Sequence, residues 1–125
     1  MPSFKNIYKV VGQEQQGAPA MASGDVRDRI RQDIEGNSIL IYMKGTPEMP
    51  QCGFSAATIE IFNELGAPYE TRNVLEDPEL RQAIKEFSNW PTIPQVYIRG
   101  KFIGGCDIVT EMHSRGELEP LVKAR

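Results

Sequence analysis

The chain has 125 residues, 40% of them apolar and 25% charged, the proportions of one ordinary globular domain and not of a disordered or fibrous chain. A formal net charge of -3 argues against a nucleic-acid partner, which calls for a basic surface. No apolar run nears the roughly 18 residues that a membrane-crossing helix needs, so neither a nucleic acid nor a membrane is expected as a partner.

Residues 1–22 are rich in glutamine and glycine, keep no sustained apolar period and read as an extension outside the core. They carry Lys5 and Lys9 against Glu14 and no arginine, so a transit peptide is the weaker reading. Residues 23–125 form the domain. Ser23 is a good N-cap for a helix in which Val26, Ile30 and Ile34 recur every four residues and which stops at Gly36. Residues 38–44 are nearly all apolar and of strand length, as expected for a strand covered on both faces. Residues 45–51, with two prolines and a glycine, are loop and deliver the chain to Cys52. A helix follows over about 54–65, with Ala57, Ile59, Ile61, Phe62 and Leu65 on its buried face and Gly66 closing it, so Cys52 stands at a helix N-terminus. Residues 69–75 read as a strand, and Asp77 then caps a helix with Pro78 at its first position, running to about Ser88. Residues 95–98 and 101–103 form a hairpin around Arg99-Gly100, and Gly104-Gly105 lead to Asp107, expected as the cap of a last helix. The order is αβαβαββα, an α/β domain.

Two cysteines, Cys52 and Cys106, are too few for a disulfide scaffold and suit a reducing compartment, so their reactivity matters more than their cross-linking value. The reactive form of cysteine is the thiolate, and an unperturbed thiol is mostly protonated at neutral pH. Helix N-terminal amides after Cys52, together with the charge of Lys44 at the end of the preceding strand, both favour ionisation. Cys52-Gly53-Phe54-Ser55 has the frame of a Cys-X-X-Cys redox motif with serine in place of the second thiol. A mixed disulfide on Cys52 must therefore be resolved by an external thiol such as glutathione, or by Cys106 if the fold brings it close. Trp90-Pro91-Thr92-Ile93-Pro94 opens the hairpin, and Pro94 there marks either a cis bond or a plain turn. Around Gly104-Gly105-Cys106-Asp107, amides at a helix start suit a carboxylate while Asp107 suits an ammonium group, the pair an α-amino-acid terminus such as the γ-glutamyl end of glutathione presents. Arg81 could meet the opposite, glycine carboxylate. His113, the sole histidine, reads as helix surface without a functional role.

Lys44-Gly45, Cys52-Gly53-Phe54-Ser55, Trp90-Pro91-Thr92-Ile93-Pro94-Gln95 and Gly104-Gly105-Cys106-Asp107 occur in an order that resembles the monothiol glutaredoxin family in its short single-domain form. The resemblance covers residues 26–122 and implies a thioredoxin fold, a four-stranded mixed sheet flanked by helices. It implies that Cys52 is the active cysteine and a cluster ligand, that Lys44, Arg81, Ile93, Cys106 and Asp107 line a glutathione groove, and that Pro94 is cis. A [2Fe-2S] centre takes four thiolates, so one Cys52 from each of two chains and two glutathione thiols complete the set in a cluster-bridged homodimer. The activity implied is delivery of that cluster to iron-sulfur acceptor proteins, with a BolA-like protein as a further partner. The runner-up is glutathione-dependent reduction of mixed disulfides, at most weak, and a third class is a redox-sensing domain with a Cys52–Cys106 disulfide. The expected location is cytoplasmic, with organellar targeting by residues 1–22 left open.

Overall fold

The structure is a computed structural model and describes residues 24–123; the expected Ser23 cap and the extension over 1–22 lie outside the described residues. β1 (Ile39–Met43) is the central strand, and all five of its residues are buried. Alternation along a strand sends side chains to opposite faces, so an unbroken apolar run is what a strand covered on both sides requires. Leu40 and Tyr42 enter one core with Val26, Ile30 and Ile34 of α1 (Gly24–Gly36) and Leu80, Ala83 and Ile84 of α3 (Pro78–Ser88). Ile39, Ile41 and Met43 enter the other, with Ile59, Ile61 and Phe62 of α2 (Gly53–Leu65), Val109 of α4 (Cys106–Ser114) and Leu118 of α5 (Leu118–Lys123).

The sheet order is β2-β1-β3-β4, where β2 is Glu70–Asn73, β3 Gln95–Ile98 and β4 Lys101–Gly104. β2 runs parallel to β1 and β3 antiparallel to it, which makes the sheet mixed, and helices cover both faces in the manner of a thioredoxin fold. α1 is fastened to α3 by Arg29–Asp77 at 2.7 Å and Arg27–Glu86 at 3.6 Å, and to β2 by Arg72–Asp33 at 3.1 Å.

The structure departs from the sequence expectations in three places. The strand expected over 69–75 ends at Asn73, because the Asn73 side chain accepts from Leu75 N–H and starts a 3₁₀ turn over Val74–Glu76. The cap of α4 is Gly105, which offers no side chain, and Asp107 is the second residue of the helix and not its cap. The last expected helix is two, because Gly116 takes φ +74, a conformation natural to glycine, between α4 and α5.

Candidate functional site

The loop that carries Cys52 is closed on itself. Thr46 and Met49 exchange backbone hydrogen bonds at 3.2 and 3.0 Å, and Gln51 N–H donates to Lys44 O at 2.8 Å. Gly45 sits at φ +93 with Met49 O only 2.5 Å from where a Cβ would stand, so no larger residue fits that turn as it is built. Cys52 follows in extended conformation as the N-cap of α2, and its carbonyl accepts from Ala56 N–H at 2.9 Å. Its thiol is held below the ordinary value, first by the Ser55 backbone N–H, then by the Phe54 N–H, the charge of Lys44 and the Ser55 hydroxyl, with burial opposing. All four favourable causes reward the thiolate, the nucleophilic and metal-binding form.

Cys52 opens onto a groove of about 430 Å³ lined also by Lys44, Arg81, Ile93, Pro94, Cys106 and Asp107. The fold thus brings all seven residues picked out in the sequence to one cleft, from five separate segments of the chain. The Ile93–Pro94 peptide bond is cis. Buried Gln95 holds the segment ahead of it, donating from Nε2 to Trp90 O at 3.1 Å and Thr92 O at 3.2 Å. Gly105 packs directly against this segment: a Cβ there would stand 3.1 Å from Pro94 O, tighter than an ordinary contact. Cys106 Sγ lies 3.8 Å from Thr110 Oγ1 within its own helix. His113 is outside the groove and meets Glu64 of α2 at 3.0 Å.

Sequence reasoning missed Phe54, Lys85, Trp90, Thr92 and Ile108 as groove residues. For Lys85 a signal existed: it follows Arg81 by one helical turn, which puts both on one face of α3. Most other cations in the described residues are paired, whereas no carboxylate among those residues lies within ion-pair distance of Lys44, Arg81 or Lys85. Two of the acids along α3, its N-cap Asp77 and Glu86, are taken by the α1 arginines. Three cations without carboxylate partners around one depressed thiol, in a chain of net charge -3, make a locally positive site that suits an anion.

The family model for glutaredoxin matches residues 39–103, which include Cys52 and the Ile93–Pro94 bond. A monothiol glutaredoxin of Synechocystis is 52% identical over 99 residues, covering 79% of this chain and 92% of its own length. This chain belongs to the monothiol glutaredoxins. The mitochondrial monothiol glutaredoxin-5 of Saccharomyces cerevisiae is 52% identical over 81% of this chain and 69% of its own. Mitochondrial monothiol glutaredoxin-S15 of Arabidopsis thaliana is 46% identical over 86% of this chain, which spans 64% of that relative's length. Among solved structures, reduced apo GrxS14 of poplar superposes with a TM-score of 0.70 at 44% identity, covering 78% of this chain and 90% of that one. A buckwheat glutaredoxin solved as a glutathione complex superposes with a TM-score of 0.71 at 29% identity, covering 78% and 87%. Two of these relatives bear mitochondrial names, and among the described residues of this monothiol glutaredoxin no helix is long and apolar enough to cross a membrane.

Proposed function

We propose that this glutaredoxin holds glutathione in the Cys52 groove and uses the two thiols together to carry a [2Fe-2S] cluster to acceptor proteins. The observation that carries the reading is the division of the groove. Lys44, Arg81 and Lys85 stand without carboxylate partners, while the start of α4 offers backbone amides beside Asp107. A γ-glutamyl tripeptide has a lone carboxylate at one end and a carboxylate with an ammonium group at the other, which is the complement of that layout. The buckwheat glutaredoxin crystallised with glutathione supports it by analogy of fold and site.

The cluster is cargo. Among the described residues no group of three His, Cys, Asp or Glu side chains could hold a metal, and Cys52 supplies one thiolate per chain where such a centre takes four. Two chains and two glutathiones supply them, and a BolA-like protein replacing the second chain is the heterodimeric form of the same arrangement. Ligands shared between molecules exchange readily, which suits delivery. The lowered Cys52 thiol favours a second reading, reduction of glutathione mixed disulfides, in which Cys52 attacks and free glutathione resolves. Both chemistries need a reducing compartment, either the cytoplasm or an organelle.

Anaerobic reconstitution with iron and sulfide, with and without glutathione, tests the reading by visible absorption and gel filtration. A coloured dimer formed only with glutathione is expected. A colourless monomer that rapidly reduces mixed disulfides would replace the carrier with the oxidoreductase. Cys52→Ser is expected to abolish the colour and Cys106→Ser to keep it.

A further inference from the structure

Sheet pairing between β1 and β2 ends at Met43 opposite Asn73, so the amides of Lys44 and Gly45 emerge from the strand without a partner in the ladder. Side chains supply both partners. Lys44 N–H donates to Ser55 Oγ at 3.1 Å, and Gly45 N–H donates to Asn73 Oδ1 at 2.9 Å. Lys44 O is taken as well, by Gln51 N–H at 2.8 Å. The three backbone polar groups around the Lys44 Cα are therefore all held, and only its side-chain torsions remain free to turn.

Asn73 does two tasks with one atom, since the same Oδ1 accepts from Leu75 N–H at 3.0 Å. Both partners are N–H donors, so the carbonyl oxygen of the amide must face them. One bond caps the 3₁₀ turn that ends β2; the other reaches across to the loop that leads to Cys52. We infer that Asn73 is a positioning residue, which together with Ser55 fixes the backbone at Lys44 so that its ammonium group is presented to Cys52 and the groove. Ser55 is fully buried and bears on both ends of this arrangement, its hydroxyl accepting from Lys44 N–H at 3.1 Å while its backbone N–H is the first cause that holds the Cys52 thiol low. The serine of the motif thus links strand and thiolate, beyond merely replacing a second thiol. An asparagine also supplies the acceptor without a charge, whereas a carboxylate at this position would compete with Cys52 for the Lys44 ammonium group. The inference rests on the reading of Cys52 as the working thiolate.

The test is the rate of Cys52 alkylation by iodoacetamide against pH in the full chain, with Cys52 and Cys106 peptides separated by mass spectrometry. Asn73→Ser is the informative variant, because serine is a good cap for Leu75 N–H but is too short to reach Gly45. It is expected to slow Cys52 alkylation at neutral pH by about two- to fivefold, the range of one partly exposed charge interaction. Lys44→Gln should slow it at least as much, and Asn73→Ser should add nothing in the Lys44→Gln background. Amide exchange at Gly45 should accelerate in Asn73→Ser, a change that a role in capping alone would not produce. The inference is overturned if Asn73→Ser alkylates at the parent rate, or if it slows the reaction by the same factor with Lys44 already replaced. A parent Cys52 that titrates as an ordinary thiol would remove the thiolate reading itself, and this inference with it.

Discussion

Replacing Arg81 and Lys85 by glutamine removes two of the three free cations of the groove while keeping both side chains at similar length. A carboxylate about 4 Å from a surface cation gains roughly 1 to 4 kcal/mol of Coulomb energy across the range from water to a protein surface. Desolvation and side-chain ordering reduce the measured value to about 0.2–1 kcal/mol for an exposed pair. Each single substitution should then weaken glutathione by about 1.4- to fivefold. The pair should weaken it by less than the product of the two, since both cations would share one carboxylate and neighbouring effects couple. Trp90 is the only tryptophan and lines the groove, so its fluorescence reports binding directly. The decisive comparison is glutathione against its glycine ethyl ester. The parent should prefer the free acid, and Arg81→Gln with Lys85→Gln should bind acid and ester alike. Raising salt to about 1 M, where the screening length falls to roughly 3 Å, should shrink the parent's preference. An acid-to-ester ratio unchanged by the double substitution would show that the glycine carboxylate lies elsewhere.

Tyr42 is fully buried, its hydroxyl has no hydrogen-bond partner, and burial first, then the charge of Asp33, pushes its phenol far above the usual range. Tyr42→Phe removes that orphan and should stabilise the fold by about 1 kcal/mol in urea unfolding; a loss of similar size would mean the hydroxyl is paired in solution. Tyr97 is likewise raised by burial, to about 12. A raised phenol contributes stability that is present below the unfolded tyrosine value of about 10 and is lost as pH rises through the folded value. Unfolding should therefore set in above about pH 10, and stability should fall less steeply with pH in Tyr42→Phe. For Cys52 the sign is opposite, because its thiol is lowered by the Ser55 N–H first. The thiolate's contribution is present above the unfolded thiol value of about 8.5 and is lost as pH falls through the folded one. The stability difference between the parent and Cys52→Ser should widen as pH rises through that window and be flat below it. A difference constant from acid to mildly alkaline pH would contradict the lowered thiol.

What was legible in the sequence was whatever a periodic pattern or a side-chain cap decides locally. The run at 39–43, the every-fourth-residue pattern of Val26, Ile30 and Ile34, and Asp77 with Pro78 each specify their element within a few residues, and each element is found where expected. The groove residues Cys52, Arg81, Pro94 and Asp107 were legible as chemical types, and their meeting in one cleft follows from the mixed sheet. The failures are at ends, where a competing bond wins. Asn73 reads as one more residue of a strand until its side chain is seen accepting from two amides on different segments. Asp107 reads as a cap by composition, but the helix starts two residues earlier than a cap at Asp107 would require, with Gly105 as its cap and packed close to Pro94 O. Lys85 was missed although its one-turn spacing from Arg81 was there to read, and Gln95 because a buried glutamine cannot be told from a solvated one until its bonds to Trp90 O and Thr92 O are seen.

The distribution of ion pairs explains why the groove can be electropositive in an acidic chain. Arg81 and Lys85 face each other one turn apart on α3, a like-charge arrangement that costs a helix a few tenths of a kcal/mol. Asp77, the N-cap of α3 and four residues before Arg81, could have relieved that repulsion, yet it turns to α1, where Arg29 meets it, as Arg27 meets Glu86. Those pairs fasten α1 to α3 across the core of Leu40 and Tyr42. Ion pairs thus hold α1 against α3, while Arg81 and Lys85 of the same α3 stay without carboxylate partners and line the groove onto which Cys52 opens. Phe54, 62% exposed beside Cys52, extends the same logic to the apolar surface, since a large ring at a helix start contributes little to a core it does not enter. A thiol held low, cations without carboxylate partners and an exposed ring therefore meet at one open edge of the fold, where other molecules can reach all three.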